Sequence, residues 1–198
     1  MIRSEPAKIL IADDEDDTRQ FLYDFLQQLG HQVIAVANGK ETIKAALSEL
    51  PDVILLDIMM PEMSGLEVCQ TLKETAQTKD IPIVFVTAKA TINDQITGLM
   101  LGAHDYINKP YRITELTARL NSALRVKRLQ DELKRCKKEK EVLLEQYQET
   151  YQILILSKQL TESFEGLSVS ENNLENNQEK VSLLAKQINQ LIAQLKPI

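Results

Sequence analysis

The chain has 198 residues, of which 43% are apolar and 26% charged, and its formal net charge is −6. This length and apolar content suit one domain or two small ones with a real core. Its two cysteines, Cys69 and Cys136, lie far apart without metal-ligand spacing, which argues against a disulfide framework and a zinc site. No run approaches the roughly 18 apolar residues of a membrane span, and the first residues lack an apolar signal region. We therefore expect a cytoplasmic protein.

Short apolar runs rich in β-branched residues alternate with amphipathic helical segments in the first part of the chain. The runs are Lys8–Ala12, Val33–Val36, Val53–Leu56, Ile83–Val86 and Tyr106–Ile107. Their continuous apolarity is typical of strands covered on both faces. Repeated βα units with short connections predict an α/β fold with a right-handed, doubly wound, five-stranded parallel sheet, closed by a helix from about Ile113.

Polar side chains follow these runs where the strands are expected to end. They are Asp13 and Asp14 after the first run, Asp57 after the third, Thr87 with Ala88 at the fourth, and Lys109 with Pro110 after the fifth. Ligands of such sheets bind beyond the carboxyl ends of the strands. We therefore expect three carboxylates, a hydroxyl and an ammonium group to converge on one edge.

The residue types at this edge suggest phosphoryl chemistry. Neighbouring carboxylates repel one another, and a hard divalent cation such as Mg²⁺ offsets that repulsion. A Lys supplies the compact positive charge that an incoming phosphoryl group needs, and a Thr hydroxyl can donate to a phosphoryl oxygen. An Asp can itself be the nucleophile and become an aspartyl-phosphate. One of the three carboxylates would then be the acceptor and the other two would hold the metal.

Residues 1 to about 122 resemble the receiver domain of bacterial response regulators, the CheY-like family of two-component systems, which has a flavodoxin-like fold. Five separated signals carry the resemblance. They are Asp13-Asp14, Leu55–Pro61 with Gly65 after it, Thr87-Ala88, Gly102-Ala103 and Asp105–Pro110. All five occur in the family's order and at the expected strand positions.

The resemblance implies that Asp57 attacks the phosphorus of a phosphohistidine on a sensor histidine kinase or phosphotransfer protein. It also implies that Asp57, Asp14 and the backbone carbonyl of Met59 ligate Mg²⁺, while Asp13 helps through water. The glutamate and aspartates that follow Asp14 are expected to favour the dipole of the first helix rather than to bind metal.

By the same resemblance, Lys109, Thr87 and the backbone N–H of Ala88 bind the phosphoryl oxygens. The Lys109-Pro110 peptide bond is expected to be cis. Thr87 and Tyr106 would form the switch, with Tyr106 turning inward when Thr87 is drawn toward the phosphoryl group. The two histidines, His31 and His104, are expected to be solvated surface residues without a catalytic role.

A second helical region follows the receiver-like part. From Ile113, apolar residues recur at spacings of three and four without Gly or Pro before Gly166. This predicts one long helix, with residues 123–165 continuing the last receiver helix and extending roughly 75 Å in all, so that it projects beyond the receiver. The spacing fits a coiled coil, although Lys140, Thr150 and Ser157 interrupt the seam.

A turn at 166–172 and a second heptad helix at 173–198 are predicted after this long helix. The two helices could fold back on one another, and two such hairpins in a homodimer would form an antiparallel four-helix bundle. An extended coiled coil is the alternative arrangement.

The output of the chain depends on this helical tail. Residues 125–140 contain eight Lys or Arg and three Asp or Glu, but no helix-turn-helix or winged unit follows, so we do not expect nucleic acid as a partner. No Gly-rich loop or His follows residue 104, so we expect no enzyme activity in the tail. The favoured interpretation is a response regulator that signals through a dimerising tail by protein–protein interaction. The alternatives are the receiver and linker of a longer signalling enzyme, such as a nucleotide cyclase, and a DNA-binding regulator.

Overall fold

The computed structural model describes residues 6–88, 92–165, 182–183 and 185–186. The chain divides into two units, Met1–Lys134 and Arg135–Ile198. The predicted turn at 166–172 lies outside the described residues, and so does most of the predicted helix at 173–198. Within that second range, the described residues 182–183 and 185–186 are helical. The proposed domain boundaries therefore stay predictions.

Five parallel strands form one sheet in the described part of the first unit. The strands are β1 (Lys8–Ala12), β2 (Gln32–Val36), β3 (Val53–Leu56), β4 (Ile83–Thr87) and β5 (Asp105–Asn108). The helices are α1 (Asp16–Gln28), α2 (Gly39–Glu49), α3 (Gly65–Glu74), α4 (Ile92–Met100) and α5 (Ile113–Glu165). The strand order is β2-β1-β3-β4-β5. This confirms the predicted doubly wound, flavodoxin-like fold.

The continuous apolar runs of the sequence are explained by a core on each face of the sheet. Along β1, Ile9 and Ile11 belong to one buried cluster, which also contains residues of α1 and the start of α5. Leu10 and Ala12 belong to the other cluster, which contains residues of α2 and α3. Successive strand side chains point to opposite faces, so a strand covered on both faces must be apolar at every position.

Capping side chains fix where the helices near the sheet edge begin. The Asn38 side chain accepts a hydrogen bond from the Glu41 backbone N–H (2.9 Å) at the start of α2. At the start of α3, the Ser64 hydroxyl accepts from the Glu67 backbone N–H, and the Glu67 carboxylate accepts from the Ser64 N–H (2.8 Å). This reciprocal pair is a capping box, and it holds the loop after β3 against the first turn of α3.

The predicted long helix is confirmed as α5, which runs from Ile113 to Glu165 over 53 residues. In the first unit, Leu116, Leu120 and Leu124 of this helix are buried in the core. Within the described residues, no helix is both long enough and apolar enough to span a membrane.

The prediction that His31 is a solvated surface residue is wrong. Its side chain is only 6% exposed, and Nδ1 accepts a hydrogen bond from the backbone N–H of Ala7 (3.3 Å). Gly30, with a φ of +89°, ends the α1 segment and turns the chain so that His31 lies beside the start of β1. His104 is half-buried, and its Nε2 lies 3.3 Å from the Ser122 hydroxyl. Local sequence could not show either contact, because both partners are distant along the chain.

Candidate functional site

The polar residues that follow the strands are held at the carboxyl edge of the sheet by backbone hydrogen bonds that extend the strand pairing. The Asp57 N–H donates to the Ala12 carbonyl (2.8 Å), and the Lys109 N–H donates to the Thr87 carbonyl (2.8 Å). Asp13 is held similarly through its N–H and the carbonyl at the end of β2 (3.2 Å). The sheet itself therefore fixes the spacing of these backbones.

The Lys109 ammonium group connects two buried carboxylates that are far apart in sequence. Its Nζ lies 2.7 Å from Asp13 Oδ2 and 2.9 Å from Asp57 Oδ2. A third carboxylate, that of Glu15, lies 3.8 Å from the same Nζ. One cation thus offsets the repulsion between Asp13 and Asp57, which are only 1% and 6% exposed.

Three carboxylates form a cluster that could hold a metal ion. One oxygen from each of Asp13, Asp14 and Asp57 lies within 4.8 Å of the others. Opposite ligands of a single Mg²⁺ are roughly 4 Å apart, so small side-chain rotations would bring these oxygens into one coordination sphere. Asp14 is exposed whereas the other two are buried. A hydrated cation could therefore approach from the Asp14 side, and the all-oxygen donor set suits Mg²⁺.

Burial and ion pairing shift the pKa values of Asp13 and Lys109. Burial raises the pKa of Asp13 above its usual range, although the hydrogen bond from Lys109 opposes this shift. Burial alone would lower the pKa of Lys109, but its hydrogen bonds to Asp13 and Asp57 outweigh that effect and the net pKa is raised. Lys109 is therefore a permanent cation at neutral pH in a half-buried position.

Hydrogen bonds to both of its oxygens orient the Asp57 carboxylate. Oδ1 accepts a hydrogen bond from the Met59 backbone N–H (3.0 Å), while Oδ2 faces Lys109. The loop carrying Asp57 is held close to α3, because the Gly65 N–H donates to the Ile58 carbonyl (2.9 Å). A Cβ atom at Gly65 would lie 2.1 Å from the Asp57 carbonyl oxygen, so any side chain there would displace the loop.

The remaining residues predicted for the site lie at or near the same edge. Thr87 is fully buried at the end of β4, and Ala88 is exposed directly after it. Met59 is largely exposed, and Tyr106 is half-buried against the core cluster beneath α2 and α3. The Lys109-Pro110 peptide bond is cis, as the resemblance to the family implied.

Sequence reasoning missed two residues beside Lys109. Glu15 was assigned only to the helix dipole, yet its carboxylate faces Lys109 and its backbone N–H donates to Asp13 Oδ1 (3.1 Å). Tyr111 is half-buried, and burial raises the pKa of its hydroxyl. Both line an open groove of about 490 Å³, together with Asp17, Thr18, Phe21, Ala88, Lys109 and Pro110. Glu15 directly follows Asp14, and Tyr111 directly follows Pro110. This adjacency in sequence was the signal that could have identified them.

A family model and several solved structures match the part of the chain that forms the sheet. Residues 9–121 match the family model described as the response regulator receiver domain. Among solved structures, the chemotaxis response regulator CheY4 of Vibrio cholerae is 30% identical with a TM-score of 0.57, and the match covers 60% of this chain and 98% of that one. The BeF3-activated N-terminal receiver domain of Klebsiella pneumoniae RstA is 31% identical with a TM-score of 0.55 over 60% of this chain and 98% of that one.

Curated relatives match the same part of the chain. The probable transcriptional regulator ycf27 of Guillardia theta is 42% identical over 118 residues, which is 60% of this chain and 45% of the relative. The response regulator MprA of Mycolicibacterium vanbaalenii is 38% identical over 120 residues, or 61% of this chain and 51% of the relative. The chain thus spans about half the length of these relatives, and the matches leave the tail unmatched.

Proposed function

The chain belongs to the response regulator receiver domain family, and on that premise we propose that Asp57 accepts a phosphoryl group from a phosphohistidine. The donor would be a sensor histidine kinase or a phosphotransfer protein. The observation that carries this proposal is the contact of Lys109 Nζ with both Asp13 and Asp57 at the carboxyl edge of the sheet. That contact places a cation beside a candidate nucleophile and leaves Asp14 open to solvent.

In the proposed step, a carboxylate oxygen of Asp57 attacks the phosphorus in line with the bond to the histidine nitrogen. The new O–P bond forms as the P–N bond breaks, and the imidazole nitrogen leaves with the electron pair and takes up a proton. Phosphoryl transfer depends mostly on positioning and on charge stabilisation. Here Lys109, the Thr87 hydroxyl and the Ala88 backbone N–H would bind the phosphoryl oxygens.

Asp14, Asp57 and the Met59 carbonyl are the proposed ligands of Mg²⁺, with Asp13 acting through water. When bound, the cation would offset the charge of the clustered carboxylates and of the phosphoryl oxygens. Asp13 also has a second role, since its contact with Lys109 holds that ammonium group beside Asp57.

The proposed output is a change in protein–protein contacts made through the helical tail. Thr87 and Tyr106 would be the switch, because Thr87 is buried at the site and Tyr106 is half-buried on the neighbouring strand β5. Phosphorylation would draw Thr87 toward the new group and shift the equilibrium between two packings. The tail would pass this shift on as a homodimerising module rather than as an enzyme.

We expect the full chain with Mg²⁺ and acetyl phosphate to gain one phosphoryl group, measured by intact-protein mass spectrometry. Asp57→Asn should abolish the gain, because it removes the nucleophile. Lys109→Ala should slow it roughly 100-fold, the usual cost of losing one stabilising donor. Asp24→Asn, at an exposed position on α1, is the matched control and should behave like the native chain. Unchanged phosphorylation of Asp57→Asn would contradict the proposal.

A second candidate output, transcription regulation, is favoured by the names of the curated relatives. Those names apply to proteins about twice as long as the matched region, and the basic residues of 125–140 are the candidate DNA contacts in this sequence. That candidate requires salt-sensitive, sequence-selective DNA binding that is lost when these Lys and Arg residues are neutralised. The absence of selective DNA binding would remove this candidate, and selective binding that persists after neutralisation would exclude residues 125–140 as its source.

A further inference from the structure

The second unit presents an apolar stripe to solvent along α5. The side chains of Leu143, Tyr147 and Leu154 are 66%, 65% and 62% exposed. Their spacing of four and seven residues places them on one face of the helix. Three large apolar residues exposed in a row on a long helix are unfavourable in water, so this face requires a covering partner.

The stripe follows a heptad repeat that begins before the second unit. The first core position of each heptad, a, is occupied by Leu133, Lys140, Tyr147 and Leu154, and the second, d, by Leu129, Cys136, Leu143 and Thr150. All eight of these residues are exposed. Apart from Lys140 and Thr150, these positions hold large apolar residues or Cys136, and such a repeat is typical of the seam of a left-handed coiled coil.

We propose that a second copy of this chain covers the stripe, with the two α5 helices parallel and in register from Leu129 to Leu154. The inference deepens the dimerising tail of the proposed function by assigning its orientation and its contact residues. Position g directly precedes each a residue, and position e directly follows each d residue. In this pairing, a residue at position g lies beside the position e residue of the second copy whose number is higher by five. Glu132 then meets Lys137 of the second copy, an attractive pair.

The other pairs between positions g and e over residues 125–151 bring no two like charges together. They are Arg125 with Gln130, Glu139 with Leu144, and Gln146 with Tyr151. Charges at e and g set the orientation of coiled coils, and like charges at these positions would oppose it. The charges at positions e and g between residues 125 and 151 are therefore compatible with the parallel, in-register dimer.

Lys140 fits the same arrangement. In the parallel dimer it faces Lys140 of the second copy at a core position, where one polar residue specifies register and two-stranded pairing at a cost in stability. The long aliphatic stem of each Lys can cover the seam while its ammonium group reaches water. Together with the milder polar layer at Thr150, the Lys140 layer would favour the in-register dimer over shifted ones.

Cys136 provides a direct test, because it sits on the seam and would face Cys136 of the second copy. The full chain with both native cysteines is treated with a mild thiol oxidant, and disulfide-linked dimer is followed on a non-reducing gel. We expect rapid conversion to twice the 22.5 kDa chain mass, reversed by a reductant. Cys136→Ser should remain at the single-chain mass, because Cys69 is buried and burial raises the pKa of its thiol to about 11.

Two further variants in the Cys136→Ser background test the orientation. Leu143→Cys lies one heptad along the seam and should cross-link as readily as native Cys136. Lys138→Cys points away from the seam and should cross-link roughly tenfold more slowly, since its Cβ atoms face apart. In an antiparallel pair, a residue faces its own copy only at the centre of the overlap. Cross-linking at both position 136 and position 143 therefore requires the parallel arrangement.

The outcomes separate this inference from the proposals on which it rests. Light scattering that shows a dimer, combined with no preference for the seam cysteines, would overturn the parallel register and leave dimerisation intact. A monomer at all concentrations would overturn both the register and the dimerising tail. Phosphorylation of Asp57 is measured on the same samples by mass, so its success or failure is independent of either result.

Discussion

At the scale of single residues, the site depends on one cation shared between buried carboxylates. Lys109 faces Asp13 and Asp57 at once, and all three side chains are mostly removed from water. Taking away one member of such a group leaves an uncompensated buried charge, which costs several kcal/mol. In the proposed function, the same contact would place a cation beside the arriving phosphoryl group, so that stability and function would depend on one contact.

His31 carries a pH-dependent part of the stability. Burial and the nearby Arg128 lower the pKa of His31 below its ordinary value of 6.5, so the folded state disfavours the charged imidazole. At a pH above 6.5, the titration of His31 does not lower the free energy of unfolding. As the pH falls below 6.5, the unfolded chain binds a proton that the folded chain does not, and stability decreases with a slope of at most about 1.4 kcal/mol per pH unit.

We predict that His31→Gln flattens the pH dependence of the free energy of unfolding between pH 7 and the folded pKa of His31. Urea unfolding at a series of pH values measures it, with the native chain and His104→Gln as comparisons. His104 is the matched control, because it is the other histidine of the chain and its ring contacts the hydroxyl of the exposed Ser122. Equal slopes for the native chain and His31→Gln would rule out this role.

At the scale of elements, α5 serves two different environments along its length. Its first turns bury Leu116, Leu120 and Leu124 in the receiver core, while the part in the second unit exposes Leu143, Tyr147 and Leu154. Ion pairs between residues four apart, such as Arg135 with Glu139 (3.6 Å), support the exposed part only weakly. In the proposed dimer, packing on the second copy supplies the stability of this part.

We predict that Lys140→Leu stabilises the tail. In the proposed dimer, the substitution replaces a charged core layer by an apolar one, and burial of a Leu side chain is worth about 2 kcal/mol. Thermal unfolding followed by far-ultraviolet circular dichroism at several concentrations measures the change. Lys138→Leu, which lies outside the seam, should leave the transition where it is. A transition that moves equally in both variants would argue against Lys140 lying at the seam.

At the scale of the whole molecule, the proposed function assigns the phosphorylation signal to the receiver and the output to the tail. The family match covers residues 9–121 and supports the proposed role of the receiver. The proposed role of the tail is argued from the tail's own sequence. A covalent change at Asp57 can affect the tail only if the two states of the receiver differ in how they bias it. This requirement makes the oligomeric state in both forms the decisive quantity.

We predict a dimer with and without beryllofluoride, and a small-angle scattering profile that changes between the two states. The full chain is measured with Mg²⁺ by light scattering and X-ray scattering, beside Asp57→Ala. The variant should show the dimer but not the change, because it lacks the acceptor carboxylate. A dimer that forms only in beryllofluoride would reverse the proposed order, making dimerisation the consequence of phosphorylation.

The sequence by itself determined the strands, the carboxyl-edge residues and the long helix. Period, length and strand-end chemistry are local properties, so they can be read from neighbouring residues. That Asp57 and Lys109 lie at the same edge of the sheet was also predictable, because the carboxyl ends of parallel strands meet at one edge.

Only the tertiary structure decided which of these residues touch, and what surrounds them. The contact between Lys109 and Asp13 joins residues 96 positions apart, and Glu15 approaches the same ammonium group through the turn that begins α1. Gly65 is required because a backbone oxygen passes where its side chain would be. His31 is buried because the start of β1 covers it. Each of these depends on packing between distant segments, which local periodicity does not encode.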